Sequence, residues 1–221
     1  MTATAQKAYK GMGMEGSVAR WYEKNTRKDM EEYRRVAESL KEKFPGGGDV
    51  LEVAPGPGFL AIEMARGGKF SVQGLDISKT FVELARKNAA EAGISVEFRE
   101  GNASEMPFAP NSFDLLVCRA AFKNFAQPVN ALKEMRRVLR PAGKGVVIDL
   151  RRDVSMREIK SYFGHVGLSA WNRWLTLLTF RFMLLKRAYT KPELEEMLAK
   201  VGFKEAEVRM NDIGMEAWFE K

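Results

Sequence analysis

A chain of 221 residues, 45% hydrophobic and 29% charged, has the composition of one well-buried globular domain, which excludes a disordered tail, a repeat array and two independent enzymatic domains. One cysteine and one histidine are too few for an internal disulfide, a cysteine-ligated zinc or iron–sulfur site, or a histidine-rich metal site, so no metal is expected. The net charge of +7 could attract nucleic acid, but basic and acidic residues are interspersed, which favours solvated helix faces. No apolar run reaches the roughly 18 residues of a membrane span and no signal-peptide core is present, so we expect a soluble, cytoplasmic protein.

The N-terminal segment, residues 1–45, is predicted to be an arm followed by a long helix. Residues 1–15 contain glycine and methionine without a clear period, which is typical of a mobile arm. From Val18 to Phe44 the apolar residues recur at helical spacing, and Pro45 with the glycines after it ends the pattern. One continuous helix is therefore expected before the first strand.

Residues 46–150 alternate strands and helices in the manner of a parallel sheet covered by helices. Helix signals are clear at Ser78, which can cap a helix that Gly93 ends, and at Pro128, which opens another. The fourth strand is almost wholly apolar, and such strands are usually covered on both faces. The predicted strands are residues 50–54, 70–75, 95–99, 113–118 and 145–150.

Residues 151–189 interrupt this alternation, because two helical segments follow each other with no strand between them. Ser155 and Glu158 form a capping-box pattern at the start of the first segment. The second carries an aromatic stripe that includes Trp171 and Trp174. This region is interpreted as a helical lid inserted after the fifth strand.

Residues 190–221 are predicted to complete the core with a helix and a hairpin. Thr190 and Glu193 form a second capping-box pattern at the start of the helix. Two strands, residues 203–210 and 214–219, are separated by a turn that is long enough only for a hairpin. The expected fold class is therefore α/β, with a seven-stranded, mostly parallel sheet and an antiparallel C-terminal strand.

The main chemical motif combines a carboxylate inside the first strand with two glycines in the turn after it. Glu52 lies in the strand, and Gly56 and Gly58 follow it, where glycine lets the backbone approach a ligand closely. Asp76, twenty residues past Gly56 at the end of the second strand, offers two acceptor oxygens for vicinal ribose hydroxyls. Together these features indicate a nucleoside cofactor.

The same turn and Asp76 also satisfy the dinucleotide-binding fingerprint, so a nicotinamide oxidoreductase is an alternative. Three features favour a sulfonium cofactor instead. Glu52 replaces the apolar strand residue usual in a nicotinamide site, and Pro55 and Pro57 remove amide donors that a pyrophosphate would need. The terminal hairpin is the third feature.

These motifs, with Gly101-Asn102-Ala103 and the turn Leu139-Arg140-Pro141-Ala142-Gly143, resemble those of the class I S-adenosylmethionine-dependent methyltransferases. The chain is similar to the ubiquinone/menaquinone-biosynthesis type and to other small-molecule members over roughly residues 18–220. The resemblance implies a Rossmann-like core, an N-terminal helical cap, a helical lid, and S-adenosylmethionine as cofactor. The arm and the lid are the parts that vary within the family.

The resemblance also implies which residues hold the cofactor. The expected contacts are Tyr22, Glu52, Ala54, Gly56, Gly58, Asp76, Ile77, Asn102, Ala103 and Arg119. Asp76 would bind the ribose, and Ile77 and Asn102 would lie at the adenine. Two of these positions depart from the family pattern: Ala54 replaces the first glycine of the usual Gly-x-Gly-x-Gly turn, and Asn102 replaces an aspartate while keeping a carbonyl acceptor.

The acceptor side is expected to combine the loop after the fourth strand with the lid. The residues predicted to contact the acceptor are Phe122, Lys123, Trp171 and Trp174. Lys123 stands where many relatives have histidine, so no base is carried over to that position. An oxygen or carbon acceptor needs a general base, and His165, Asp149, Tyr162 and Tyr189 are available; His165 and Tyr189 are taken as the catalytic candidates.

The function expected is methyl transfer to a small, partly apolar acceptor that can be anionic, with O-, N- and C-methylation and the oligomeric state left open. The absence of an Asn-Pro-Pro-Tyr tetrapeptide argues against amino-adenine or glutamine methylation. The alternatives are an RNA or protein methyltransferase and a non-catalytic, partner-binding member of the fold. Clustering of Arg151, Arg152, Lys186 and Arg187 on one exposed face would favour the nucleic-acid alternative.

Overall fold

The computed structural model describes residues 9–10, 13–164 and 184–221, and only the backbone of residues 162–164. The strands are β1 (Gly48–Val53), β2 (Phe70–Asp76), β3 (Glu97–Glu100), β4 (Phe113–Arg119), β5 (Leu139–Leu150), β6 (Glu205–Met210) and β7 (Gly214–Glu220). The helices are α1 (Gly16–Thr26), α2 (Met30–Lys43), α3 (Phe59–Ala65), α4 (Lys79–Ala92), α5 (Pro128–Val138), α6 (Met156–Gly164) and α7 (Lys191–Val201). No helix among these described residues is both long enough and apolar enough to cross a bilayer.

The strands form one seven-stranded sheet in the order β3-β2-β1-β4-β5-β7-β6. The pairs β3–β2, β2–β1, β1–β4 and β4–β5 are parallel, whereas β7 pairs antiparallel with both β5 and β6. The predicted sheet, with its antiparallel C-terminal strand, is therefore confirmed. Because the strand order reverses between β1 and β4, the crevice beyond their carboxyl ends is the expected ligand site of such a sheet.

The caps that the sequence predicted are present at three helices. Ser78 Oγ accepts a hydrogen bond from the Phe81 N–H, and Gly93 ends α4 at a positive φ of 66°. Thr190 and Glu193 form the complete capping box of α7. At the start of α6, the Ser155 N–H donates to Glu158 and the Glu158 N–H donates back to Ser155 Oγ. These local bonds fix where helices begin and end, and therefore where the strand ends lie.

Apolar side chains cover both faces of the sheet, as the sequence of β4 predicted. Leu115 and Val117 belong to a cluster with α2, α3 and α4, whereas Leu116 and Cys118 belong to a cluster with α5 and α7. This alternation follows from the two-residue period of a strand. A central strand buried on both faces gives the carboxyl edge a rigid base.

Three sequence expectations need correction or fall outside the description. The single helix expected from Val18 to Phe44 is divided into α1 and α2 by a short 3-10 turn, Arg27–Asp29. The fifth strand begins earlier than expected, at Leu139, because residues 140–143 form an irregularity between two paired stretches of β5. The second helix of the expected lid lies outside the described residues.

Part of the expected N-terminal arm contacts the rest of the protein, and the mobility of the arm stays a prediction. Tyr9 forms a bridge with Phe125, and the Lys10 N–H donates to the Asn124 carbonyl over 2.7 Å. The Met14 carbonyl accepts from Ser78 Oγ at 2.6 Å. We call residues 9–10 and 13–15 the N-terminal strap, since they are hydrogen-bonded to the segment after β4 and to the start of α4.

Candidate functional site

The turn after β1 contains three residues with left-handed backbone. Ala54, Gly56 and Gly58 have φ values of 56°, 55° and 80°. Glycine takes this conformation freely, but an L residue with a Cβ is strained there by about 1–2 kcal/mol. The alanine that departs from the family pattern therefore occupies a position whose backbone favours glycine.

The two glycines of this turn are needed for different reasons. A Cβ on Gly58 would lie 2.8 Å from Phe98 Cζ and 2.9 Å from Ala85 Cβ, so Gly58 allows α3, α4 and β3 to pack closely. A Cβ on Gly56 would meet nothing nearer than Tyr22 Cε1 at 4.0 Å. A gap with room for one added carbon atom therefore lies between Gly56 in the β1 turn and the ring of Tyr22 on α1.

The carboxylate of Asp76 lies beside this space, at the carboxyl end of β2. Its Oδ2 accepts from the Gly56 N–H and its Oδ1 from the Ser78 N–H, both over 2.9 Å. The side chain is only 5% exposed, and burial raises the pKa of Asp76 to about 6 despite these two bonds. Each carboxylate oxygen can accept a second hydrogen bond, so Asp76 still has room for a donor such as a ribose hydroxyl.

The carboxylate of Glu52 is buried in β1, at 4% exposure, with one oxygen unsatisfied. It accepts a hydrogen bond from the Ala61 N–H in the first turn of α3, whereas its Oε2 has no hydrogen-bond partner among the described residues. Burial raises the pKa of Glu52 to about 8, and the Ala61 bond and the charge of Arg119 only partly oppose this. An orphaned buried oxygen is costly unless a ligand completes it.

Neither Glu52 nor Asp76 belongs to an ion pair within the described part of the chain. Arg119, at the end of β4, pairs with Glu32 on α2, and its guanidinium lies 4.8 Å from the centre of the Tyr33 ring. Its charge is thus shared with the N-terminal helices. The carboxyl ends of β1 and β2 therefore hold two buried acids that form no ion pair among the described residues, and the charge of Arg119 only partly compensates Glu52.

The residues predicted at the adenine lie next to Asp76. Ile77, which follows Asp76 directly, is 42% exposed and leaves part of an apolar side chain uncovered at this edge. The Gly101 N–H donates to the Asp76 carbonyl over 2.9 Å, which holds the following loop against β2. Asn102 Oδ1 accepts from the Ser104 N–H over 2.9 Å, and Ala103 packs against the core.

The predicted cofactor residues thus come from separate elements and converge at one edge of the sheet. Those at this edge are Tyr22, Glu52, Ala54, Gly56, Asp76, Ile77, Asn102, Ala103 and Arg119. Gly58 is close in sequence, but its missing Cβ serves packing. The contacts of these residues with a cofactor stay a prediction.

On the acceptor side, the structure gives Phe122 and Lys123 partners inside the protein. Phe122 is fully buried, with its ring 5.5 Å from that of Phe125 and 5.8 Å from that of Tyr189. Lys123 Nζ lies 2.7 Å from Asp149 Oδ1, and both side chains are buried. The acceptor contacts predicted for Phe122 and Lys123 gain no support, because an acid at the end of β5 draws the lysine inward.

Two of the four candidate bases, Asp149 and Tyr189, have side chains that the structure describes. Asp149 accepts from the Lys123 side chain and the Leu150 N–H at Oδ1 and from the Lys123 N–H at Oδ2, and its ion pair with Lys123 stabilises the ionised form inside the protein. Tyr189 is half-buried, and its hydroxyl accepts from Lys10 Nζ over 2.5 Å. His165, Trp171 and Trp174 lie outside the described residues, as does the side chain of Tyr162.

The N-terminal strap is the part of this edge that sequence reasoning missed. Its contacts join residues far apart in the chain, such as Lys10 with Tyr189, and no periodicity marks them. The one local signal was Glu15, an acidic residue directly before α1. Its side chain does not cap α1; it accepts hydrogen bonds from the Lys79 and Thr80 N–H groups at the start of α4.

Similarity to known proteins was found at three levels. A family model described as a methyltransferase domain matches residues 50–143. A demethylmenaquinone methyltransferase of Deinococcus radiodurans is 36% identical over 121 residues, which are 53% of this chain and 50% of that protein. One of Chlorobaculum parvum is 31% identical over 188 residues, which are 80% of this chain and 76% of that protein. The chain thus spans about half the length of the first relative and three quarters of the second.

A solved structure from Methanococcus maripaludis has the same fold. That protein, described as a candidate S-adenosyl-L-methionine-dependent methyltransferase, superposes with a TM-score of 0.76 over 98% of this chain and 97% of that one. At 20% sequence identity this likeness shows the fold alone. The Rossmann-like fold that the sequence motifs implied is confirmed.

Proposed function

The chain belongs to the class I S-adenosylmethionine-dependent methyltransferases, and on that premise we propose that it transfers a methyl group to a small, partly apolar acceptor. One observation carries the proposal: Glu52 and Asp76 are buried acids that form no ion pair among the described residues, beside the gap between Gly56 and Tyr22. A sulfonium cofactor with an ammonium group would supply the positive charge that this pocket lacks.

The residues present fit such a cofactor. Asp76 has spare acceptor capacity for the ribose hydroxyls, and the exposed Ile77 offers an apolar surface for the base. The orphaned oxygen of Glu52 would accept from the amino-acid end, and Tyr22 would close the space over Gly56. The bound cofactor supplies an electrophilic methyl group.

The chain's own contribution is then binding and orientation. Holding an acceptor atom in line with the methyl group can lower the barrier by several kcal/mol without further chemical groups. The buried carboxylates bind and do not react, because each is tied to the backbone of a helix or turn. Of the two catalytic candidates, Tyr189 lies among the described residues, where its hydroxyl accepts a hydrogen bond from Lys10.

For the acceptor we propose a quinone ring in its reduced, phenolic state, methylated at carbon. The support is the similarity to two demethylmenaquinone methyltransferases, one of which aligns over three quarters of its length. A reduced ring is chosen because its phenolic oxygens make the ring carbons nucleophilic, whereas an oxidised quinone is itself an electrophile. Of the four basic residues whose clustering would favour RNA, Arg151 pairs with Glu158 and Arg152 with Glu193, which reduces the positive charge available to a phosphate backbone, whereas no ion pair is found for Lys186 and Arg187 among the described residues.

Titration calorimetry with S-adenosylmethionine tests the cofactor site. The variant Gly56→Val should lose binding at least tenfold, since its side chain would enter the space below Tyr22. Gly93→Val is the matched control: Gly93 also has a positive φ and open surroundings, but it ends α4 away from this turn. Both variants should lose similar stability from backbone strain.

Equal cofactor affinity in the two glycine variants would overturn the site. The acceptor is tested separately, by following transfer of a labelled methyl group to a naphthalenediol under reducing conditions. Binding of the cofactor without any transfer to the ring would retain the methyltransferase proposal and refute the quinol acceptor.

A further inference from the structure

The N-terminal strap is fastened on both sides of β1. At one side, Ser78 Oγ donates to the Met14 carbonyl over 2.6 Å, and the Glu15 carboxylate accepts from Lys79 and Thr80 at the start of α4, just after β2. At the other, Lys10 is bound to the segment after β4 through the Asn124 carbonyl. Since β1 lies between β2 and β4, the fastened ends flank the turn of the proposed cofactor pocket.

Lys10 carries its ammonium group to the acceptor side of the edge. Nζ lies 2.5 Å from the hydroxyl oxygen of Tyr189 and 4.8 Å from the centre of that ring. Lys10 is half-buried, and no carboxylate of the described residues lies within ion-pair distance of it. The nearby Asp149 is already neutralised by Lys123. Lys10 is therefore a cation without a counter-ion.

The hydroxyl of Tyr189 has a proton to give. Within the described residues it accepts the bond from Lys10 and donates to no other group, so its O–H can reach a ligand oxygen. Its ring packs against the buried ring of Phe122, which in turn contacts Phe125, so the partly exposed Tyr189 is held in place by aromatic packing and supplies the apolar surface at this corner itself. A cation and a free hydroxyl beside aromatic rings suit a planar apolar ligand with a negatively charged oxygen.

Tyr9 links this corner to the cofactor side. Burial raises the pKa of Tyr9, the charge of Arg187 opposes this, and the charges of Asp76 and Asp149 add to it. The phenol of Tyr9 thus lies within electrostatic reach of groups on both sides of β1. The strap carries Tyr9 and Lys10 together, next to where the two substrates would meet.

We propose that Lys10 and Tyr189 bind the ionised oxygen of a phenolate acceptor, so that the N-terminal strap completes the acceptor site of the enzyme. This rests on the proposed function and defines its substrate class as phenols or enols that react as anions. Lys10 holds the negative charge, and the Tyr189 hydroxyl fixes the oxygen's position. Both are positioning residues, and neither takes part in cofactor binding.

The test uses 4-nitro-1-naphthol, whose phenolate is coloured, titrated against the full chain saturated with S-adenosylhomocysteine. The wild-type protein should bind the phenolate and lower its apparent pKa by about one unit, which is a tenfold preference for the anion. Lys10→Met should weaken phenolate binding at least tenfold and abolish that shift. Lys10→Arg, which keeps the charge, should restore most of both.

Two controls separate recognition of charge from packing. The neutral methyl ether of the same naphthol should bind Lys10→Met and wild type within about twofold of each other. Lys87→Met, at an exposed lysine that pairs with Glu91 on α4, should change nothing. Phenolate binding that is unaffected by Lys10→Met, or an equal loss for the ether, would overturn the proposal.

The outcome is also distinguishable from failure of the proposed function. S-adenosylhomocysteine affinity is measured for every variant, and Lys10→Met should keep it within about threefold. If the wild-type chain does not bind S-adenosylhomocysteine, the methyltransferase proposal fails. If it binds but shows no preference for the phenolate, only the role of Lys10 and Tyr189 fails.

Discussion

The two sides of the carboxyl edge treat buried carboxylates in opposite ways. On the β5 side, Asp149 is buried against Lys123, which meets it both with its ammonium group and with its backbone N–H. On the β1 and β2 side, Glu52 and Asp76 are buried with backbone donors and no cation. A carboxylate with an internal cation is closed to ligands, whereas one without it keeps charge capacity for a ligand. The difference is the basis for placing the proposed cationic cofactor on the β1 and β2 side.

The largest expected effect comes from removing the ion pair between Lys123 and Asp149. Lys123→Met removes the cation and leaves Asp149 charged and buried, which should lower the free energy of unfolding by about 3–5 kcal/mol. Urea denaturation measures this. The double variant Lys123→Met with Asp149→Asn should recover part of the loss, because the uncompensated charge is gone. A loss below about 1 kcal/mol in the single variant would show that the ion pair between Lys123 and Asp149 is not formed in solution.

On the β1 and β2 side, substitution of Asp76 should change the affinity for S-adenosylmethionine. Asp76→Asn keeps the shape of the side chain but removes the charge that strengthens hydrogen bonds to ribose hydroxyls. We expect S-adenosylmethionine to bind about 10- to 100-fold more weakly, since each charge-assisted bond contributes about 1.5–3 kcal/mol. Calorimetry measures the change, and Lys123→Met should leave the affinity of its folded fraction within about threefold. Unchanged affinity in Asp76→Asn would remove this residue from the site.

Glu52 gives a prediction about pH. Its pKa is about 8 in the folded protein, against an ordinary value of 4.5, so between these pH values the folded state binds more protons than the unfolded state. Stability without cofactor should therefore fall as pH rises from about 5 to 8. Glu52→Gln removes this loss, and its melting temperature should exceed that of wild type by a few degrees at pH 8 and match it near pH 5. A wild-type melting temperature above that of Glu52→Gln at pH 8 would contradict the raised pKa of Glu52.

The smallest expected effect is at the strained alanine. Ala54→Gly removes the cost of a Cβ at a φ of 56°, which is offset in part by the greater freedom of glycine in the unfolded chain. We expect a gain of about 0.5–1 kcal/mol in the free energy of unfolding, measured by urea denaturation. A loss would show that the methyl group of Ala54 makes packing contacts that outweigh the strain.

What the sequence could predict was set by the separation of the interacting residues. The caps at Ser78 and at Thr190 with Glu193 were readable because their bonds span three positions. Glu52 and Asp76 were readable because strand ends in a parallel sheet meet at one edge. The ion pair of Lys123 could not be predicted, because its partner Asp149 is 26 positions away. Nothing in the local sequence distinguishes an ion-paired lysine from one that contacts a substrate.

The N-terminal region shows the same limit. Helical spacing from Val18 to Phe44 predicted the helices but not the break at Arg27–Asp29, because a single 3-10 turn barely disturbs the pattern of apolar residues. The strap was unreadable because its partners, such as Asn124 and Tyr189, are brought near it only by the finished sheet.

The strap also has a consequence for local stability. It is fastened by a handful of hydrogen bonds at Lys10, Met14 and Glu15, so it can detach at a free energy far below that of global unfolding. Lys10 would leave Tyr189 when the strap detaches, while the caps and strand pairs of the sheet stay in place. The proposed contact with a phenolate would then be lost without global unfolding, and partial opening of the strap would weaken acceptor binding before any loss of secondary structure.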